Sequence, residues 1–335
     1  MESKQPANST NIAPPRLIPT IISGFNVVAN HVYLILFPVA LDLFLWLGPR
    51  ARIKTLLQPF VNDIIRSLAE VSAPELSDLI KMVETVWQIT LERYNIFTAL
   101  RTYPIGIPSL FASVGSLKTP IGDASIFEMP SITSAIATWI LMGLTGIMFG
   151  SIYFNEIARS ASKREKMDSI ASIGKKYLQV VFFTLALIFL LLIISIPISF
   201  LLTIAAMINP LLSQIILVVI TVSILWLIFP LVFSVHGIFV FEQNILISTL
   251  NSVRLVRFFL PGTGLFVLTV LFVSRIMDML WRTAPETSWM ALVGIFGHAF
   301  INTSLIAASF VYYLSGMRWM EHQVQNFAMA NQAKV

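Results

Sequence analysis

The sequence predicts an all-α protein: a polytopic transmembrane helix bundle of about six spans, with an extracytoplasmic amphipathic helical insert after the first. Three observations predict it. Hydrophobic residues make up 56% of the chain and charged residues 12%, with a mean hydropathy of +0.82, outside the range of water-soluble domains. Several apolar stretches reach the roughly 20 residues that cross a bilayer. Between the first two of them the pattern switches to one-sided helical spacing.

The opening segment, 1–20, is polar and Pro-rich and reads as a disordered tail. Residues 21–47 form too long an apolar run for a signal-peptide core, and no small-residue cleavage site follows, so they read as an uncleaved first span. Further spans fall at about 133–154, 178–207, 212–240, 259–281 and 289–315 within a five-helix region, 133–315, and a C-terminal tail covers 316–335. The third and fourth spans are separated only by a turn around Asn209-Pro210, which makes them an antiparallel hairpin. Pro197 and Pro230 are candidate kinks within them.

The insert, 48–132, is more than a loop. Ile53, Leu56, Leu57, Phe60, Val61, Ile64, Ile65 and Leu68 repeat at helical spacing. Ser72-Ala-Pro-Glu75 fits a capping box that opens a second amphipathic helix, with Leu76, Leu79, Ile80, Val83, Trp87, Leu91 and Tyr94 on one face. Residues 101–130 are interrupted by four prolines yet apolar, as if part of them lay on lipid or on these two helices. The insert is either a helical cap on the bundle, the favoured reading, or a platform for lipid or for another membrane protein.

Orientation follows from Lys and Arg. The loop 155–177 carries Arg159, Lys163, Arg164, Lys166, Lys175 and Lys176, which by the positive-inside rule places it and both termini in the cytoplasm of a cell membrane. Trp46, Trp281 and Trp289 then mark one aromatic belt on the outer side, although Arg50, Arg52 and Lys54 pull the other way. The net charge of +5 does not point to nucleic acid, because the basic residues gather where spans end. The partner implied throughout is the lipid bilayer.

Polar groups at membrane depth are costly, so each is a candidate. His31 lies inside the first span beside Asn26 and Asn30, and Asp42 lies nearer its outer end. His298 and Asn302 are four apart on one face of the last span, and His236 sits low in the fourth. They could serve a proton relay or ligand site, or simply hydrogen-bond helices together, which is the favoured reading. Arg275 and Asp278, one turn apart, read as a structural pair, and Gly146-xxx-Gly150 with Gly143 as a close approach to a neighbouring helix. With no cysteine, four scattered histidines and none of the common catalytic or nucleotide motifs, no metal, cofactor or reaction is implied.

The stretch 241–258 places Asn244, Ser248, Asn251 and Ser252 in one polar stripe and ends with Arg254 and Arg257. It reads as an interfacial elbow whose arginines reach lipid phosphate, so Glu242, Ser252, Arg254 and Arg257 are the candidate headgroup or ligand contacts. Glu242 closing a long span after Pro230, followed by Leu250-x-Ser252-x-x-Leu255 and Arg257, resembles the membrane domain attached to some bacterial glycerophosphodiester phosphodiesterases and its free-standing relatives. The resemblance implies a bacterial cytoplasmic-membrane protein; the phosphodiesterase domain itself is absent, and the insert departs from the pattern. The function expected is a non-enzymatic scaffold, accessory or lipid-contacting protein. A permease or channel using His31, Asp42, His298 and Asn302 is the alternative, and a headgroup enzyme acting through Glu242 stands behind it.

Overall fold

The computed structural model describes residues 13–71, 77–113, 115 and 117–332. Helices dominate them: α1 (Leu17–Asn30), α2 (Leu36–Leu47), α3 (Lys54–Val71), α4 (Ser77–Arg93), α5 (Ile132–Ala161), α6 (Ile170–Ile208), α7 (Pro210–Ile228), α8 (His236–Phe241), α9 (Ile245–Phe258), α10 (Leu260–Trp281) and α11 (Ala291–Gln332). Strands among the described residues are confined to the insert. There β1 (Arg50–Arg52) pairs in parallel with β4 (Ile126–Glu128), and β2 (Lys118–Thr119) pairs antiparallel with β3 (Gly122–Asp123). The protein is thus an all-α bundle. Among the described residues five helical stretches are long and apolar enough to cross a membrane, six if the bent pair α1–α2 is counted as one span.

Local chemistry sets the boundaries. Ser131 caps α5 by accepting from the Ser134 N–H at 3.2 Å. Asn209 accepts from the Leu211 N–H at 2.8 Å and Pro210 opens α7, so α6 and α7 form the tight hairpin their short turn predicts. Pro197 is accommodated inside α6. Pro230 is not: the helix breaks over 229–235 and resumes as α8.

The first span differs from the single helix expected over 21–47. It begins at Leu17 and turns by 93° between α1 and α2. His31 leaves helical geometry (φ −134°, ψ 57°), its N–H bonds to Val28 O at 3.0 Å, and its Nδ1–H donates to Val27 O at 2.9 Å. The imidazole therefore satisfies a carbonyl that the break sets free.

α1 lies against α11 through small side chains. Thr20, Gly24 and Val28, four apart, are its buried residues. A Cβ at Gly24 would stand 2.4 Å from Ser304 O and 2.6 Å from Ala308 Cβ, so only glycine permits this approach. The start of α1 packs with Phe266 and Tyr312, whereas Trp46 at the end of α2 donates to Glu286 O at 2.8 Å. The two pieces together still join the opposite ends of the bundle. One end carries the loop 162–169, α8–α9 and both described chain ends and is called the elbow end. The other, the insert end, carries 48–131 and 282–290.

Several expectations change at the insert end. Gly143 of α5 meets nothing, and Gly146 and Gly150 receive no neighbouring span but the segment that runs on from the short 3-10 helix Ile96–Leu100. A Cβ on Gly146 would lie 2.3 Å from Leu100 O, and one on Gly150 would lie 3.5 Å from the Gly106 Cα. The Pro-rich chain after α4 is what approaches them, and it enters the bundle instead of lying on lipid or on α3 and α4: Ile105, Ile107, Leu110 and Phe111 are buried in the main core. Trp46 is fully buried and packs on Phe111 and Trp289, so it is a core residue and not part of a lipid-facing belt.

The cap is made by residues 95–113; α3 and α4 mainly pack on each other and leave Phe60, Ile64, Leu68, Leu79 and Trp87 exposed. The capping box at Ser72–Glu75 and most of the tail 1–20 lie outside the described residues. The segment 316–332 continues α11, with Trp319 against Phe258 and Phe259.

Gly24→Leu should separate α1 from α11. Because the chain lacks cysteine, a Thr20→Cys/Ala308→Cys pair can report this directly. Oxidative cross-linking should be efficient in the parent and fall at least tenfold with Gly24→Leu.

Candidate functional site

Two polar clusters lie within this frame, one toward each end. The cluster near the insert end starts from Asp42, which is fully buried. Its carboxylate accepts from the Ser109 hydroxyl at 2.5 Å, the Leu110 N–H at 3.0 Å and the Phe111 N–H at 3.1 Å. A non-helical strip of backbone inside an apolar bundle needs such a partner, because no water is there to serve it. Asp42 is therefore the clamp that seats 105–111 among α2, α5 and α11.

His298 lies within electrostatic reach of Asp42. Its Nδ1 bonds Asp278 at 2.7 Å, and Asn302, on the same face as expected, donates to His298 O at 3.1 Å and accepts from Ser274 Oγ at 2.7 Å. His298 Nε2 is buried with no hydrogen-bond partner among the described residues. Asp278 thus turns to the histidine of α11, while Arg275 points outward, so the expected Arg275–Asp278 pair is not formed. His31 does not join this cluster; it caps α1 at the break. His236 is buried among Phe233, Phe310 and Tyr313 and bonds Ser309 at 2.9 Å, a packing role.

The second cluster lies at the elbow end. Lys176, 3% exposed, donates to Asn155 Oδ1 at 2.8 Å and to Asp168 Oδ2 at 3.0 Å. Arg164 donates to Phe239 O at 2.8 Å and stands 3.9 Å from Asp168 and 3.6 Å from Glu242. Lys176 reaches Glu242 at 3.9 Å. Two of the basic residues that signal orientation are therefore turned inward, locking the loop 162–169 to α8. Burial pushes the Asp168 carboxyl up, but hydrogen bonds from Lys176 and Asn155 and the charges of Lys176 and Arg164 outweigh it and hold the group below its usual range.

Glu242 sits where α8 ends, in the left-handed region (φ 54°), and Gln243 N–H closes back to Gly237 O at 3.2 Å. A glutamate costs about 1 kcal/mol in this conformation, which glycine adopts freely. Its side chain faces Arg164 and Lys176 only at long ion-pair distance and is half exposed.

Ser252, expected at a headgroup, is buried: its hydroxyl donates to Pro230 O at 2.7 Å and accepts from the Phe233 N–H at 3.1 Å. Ser248 donates to Ser234 O at 2.5 Å. The polar stripe of α9 thus repairs the break that Pro230 makes. Arg254 and Arg257 are exposed on the other side of α9, as an interfacial helix requires.

The sequence reading missed Ser109, Asn155, Asp168, the pairing of Asp278 with His298 and the inward use of Arg164 and Lys176. One signal was present: a mid-span proline frees a carbonyl and an amide, and serines four apart on the next helix are suitable partners. Among the described residues, no group of three or more His, Asp or Glu side chains is placed to hold a metal ion. No protein-family model matches the chain, and neither does any curated protein or solved structure compared with it.

Asp42→Ala should leave two buried amides unpaired, each costing about 1–3 kcal/mol. Amide exchange at Leu110 and Phe111 should accelerate while exchange in α10 stays unchanged; equal protection in both proteins would remove the clamp from Asp42. Lys176→Met should destabilise the folded protein in detergent by about 3 kcal/mol, as loss of one partner of a buried pair does, and Asp168→Leu added to it should recover much of that. The lowered carboxyl of Asp168 contributes stability that is full above its unfolded value, near 3.9, and is lost as pH falls through the folded value. Protection of the loop 162–169 should therefore persist from neutral pH to about 4 and weaken only below it.

Proposed function

We propose that this chain is a multi-pass protein of a bacterial cytoplasmic membrane that works as a scaffold or accessory subunit, without catalysis of its own. The observation that carries the reading is α7, which has no buried residue. The α6–α7 hairpin leaves the bundle and shows apolar side chains all round its outer half. Such an arm offers lateral contact to another membrane protein or to lipid. The interior polar groups support the reading too, since Asp42, His31, Ser248 and Ser252 each serve backbone or packing.

The basic loop supports a cytoplasmic elbow end, with Arg254 and Arg257 at the headgroups of that leaflet. The resemblance of Glu242–Arg257 to the membrane domain of bacterial glycerophosphodiester phosphodiesterases supports the bacterial assignment alone.

A permease or channel is the second reading, favoured by one observation: His298, paired with Asp278, has a buried Nε2 with no hydrogen-bond partner among the described residues. It requires a solute or proton flux in proteoliposomes that His298→Gln abolishes. The headgroup-enzyme reading needs a second acid or base at hydrogen-bond distance from Glu242, and the groups near it are the cations Arg164 and Lys176.

Single cysteines at Leu217 and Leu225 of α7, and at Leu268 of α10 as a lipid-facing control, test the scaffold. In native membranes a bifunctional thiol-to-amine reagent should give one discrete cross-linked species from both α7 sites and not from Leu268→Cys. Equal, diffuse reaction at all three positions would overturn it.

A further inference from the structure

The parallel pairing of β1 with β4 brings the start of α3 opposite the start of α5. Between them lies an open groove of about 240 Å³. One wall is Ile53, Leu56 and Leu57, the other is Ile132, Ile136 and Trp139. Its floor is Ile96, Ala135 and Tyr94, which pack in the small core cluster with Ala51 and Met129. The lining is almost wholly apolar; the Tyr94 hydroxyl and the Trp139 indole are its polar tips.

We propose that this groove holds an acyl chain of a phospholipid from the leaflet at the insert end. Three features select that occupant. The wall formed by α5 is the first two turns of a membrane span, and Ile132, Ile136, Trp139 and Ile140 on it are exposed, so the groove opens onto the surface that faces lipid. Those turns lie where the span enters the bilayer, the level at which acyl chains begin and where indole and phenol groups are favoured. The other wall runs into a stripe on α3, Leu56, Phe60, Ile64 and Leu68, four residues apart, whose last three members are exposed. A helix with that stripe lies flat on a leaflet with its apolar side down, which sets the groove beneath it at acyl depth. A chain entering from the bilayer thus finds apolar contact on three sides without displacing any hydrogen-bonded group.

The test uses the full chain in nanodiscs containing phosphatidylglycerol and phosphatidylethanolamine, doped with a phospholipid carrying a diazirine in its acyl chain. Photolabelling mapped by mass spectrometry should concentrate on 53–57 and 132–139, at least fivefold above the α6–α7 hairpin, where lipid contact is unstructured. Ala135→Phe should fill the groove floor and cut labelling of 53–57 at least fivefold while leaving α6–α7 labelling unchanged. Leu57→Trp closes the groove from the opposite wall and should act alike, so failure of one variant to fold still leaves the other as a test. Even labelling along all apolar helices, or groove labelling that a folded filled variant retains, would overturn the proposal. Neither outcome bears on the cross-linking of α7, so the scaffold reading stands or falls separately.

Discussion

Backbone amides and carbonyls inside an apolar bundle have no water to turn to, and this constraint governs the structure. At three places where the chain leaves helical geometry, a side chain takes over the lost partner. His31 serves Val27 O at the bend of the first span. Ser252 and Ser248 serve Pro230 O, the Phe233 N–H and Ser234 O at the break before α8. Asp42 serves the Leu110 and Phe111 amides where the insert dips into the core. An unpaired buried amide costs about 1–3 kcal/mol, and a folded protein has only about 5–15 kcal/mol in total. The breaks and their partners must therefore exist together.

The same constraint assigns the intramembrane polar residues. A histidine or aspartate at membrane depth invites a functional reading, yet here three of the four sites with such residues sit at an interruption or in an aromatic packing cluster. The exception is the Asp278–His298–Asn302 group, which joins two regular helices and repairs no break. It holds Asp278 against a His298 whose Nε2 has no hydrogen-bond partner among the described residues, whereas the elbow cluster is saturated by its own ion pairs.

How much of this was legible follows from distance along the chain. Features fixed within one helical turn or one short loop were read correctly: the Asn209-Pro210 hairpin, the shared face of His298 and Asn302, the outward arginines of α9, and the two amphipathic helices of the insert. Features that depend on partners far apart were not. Asp42 and Ser109 are 67 residues apart, Ser252 and Pro230 are 22 apart, and His298 and Asp278 are 20 apart. Nothing in local spacing favours His298 over Arg275 as the partner of Asp278; only the packing of α10 on α11 decides it. Likewise Gly146 and Gly150 announce a close approach without saying whether a helix or an irregular strand of backbone makes it.

The two uncovered hairpins are physically different, although both expose apolar side chains. For α6–α7 exposure carries no penalty in a bilayer, because lipid tails are as apolar as leucine and provide no hydrophobic force toward the bundle. For α3–α4 the argument runs the other way. The polar side of these helices carries Gln58, Asn62, Asp63, Arg66, Asp78 and Lys81, which bars them from the hydrocarbon interior, while Phe60, Ile64, Leu79 and Trp87 would be costly in water. Only the boundary between the two media satisfies both faces. On the acyl-chain proposal, since β1 and β4 tie the base of this hairpin to the first turn of α5, that boundary falls at the mouth of the groove. The depth of the bilayer around the bundle would then be set by the insert as well as by the lengths of the spans.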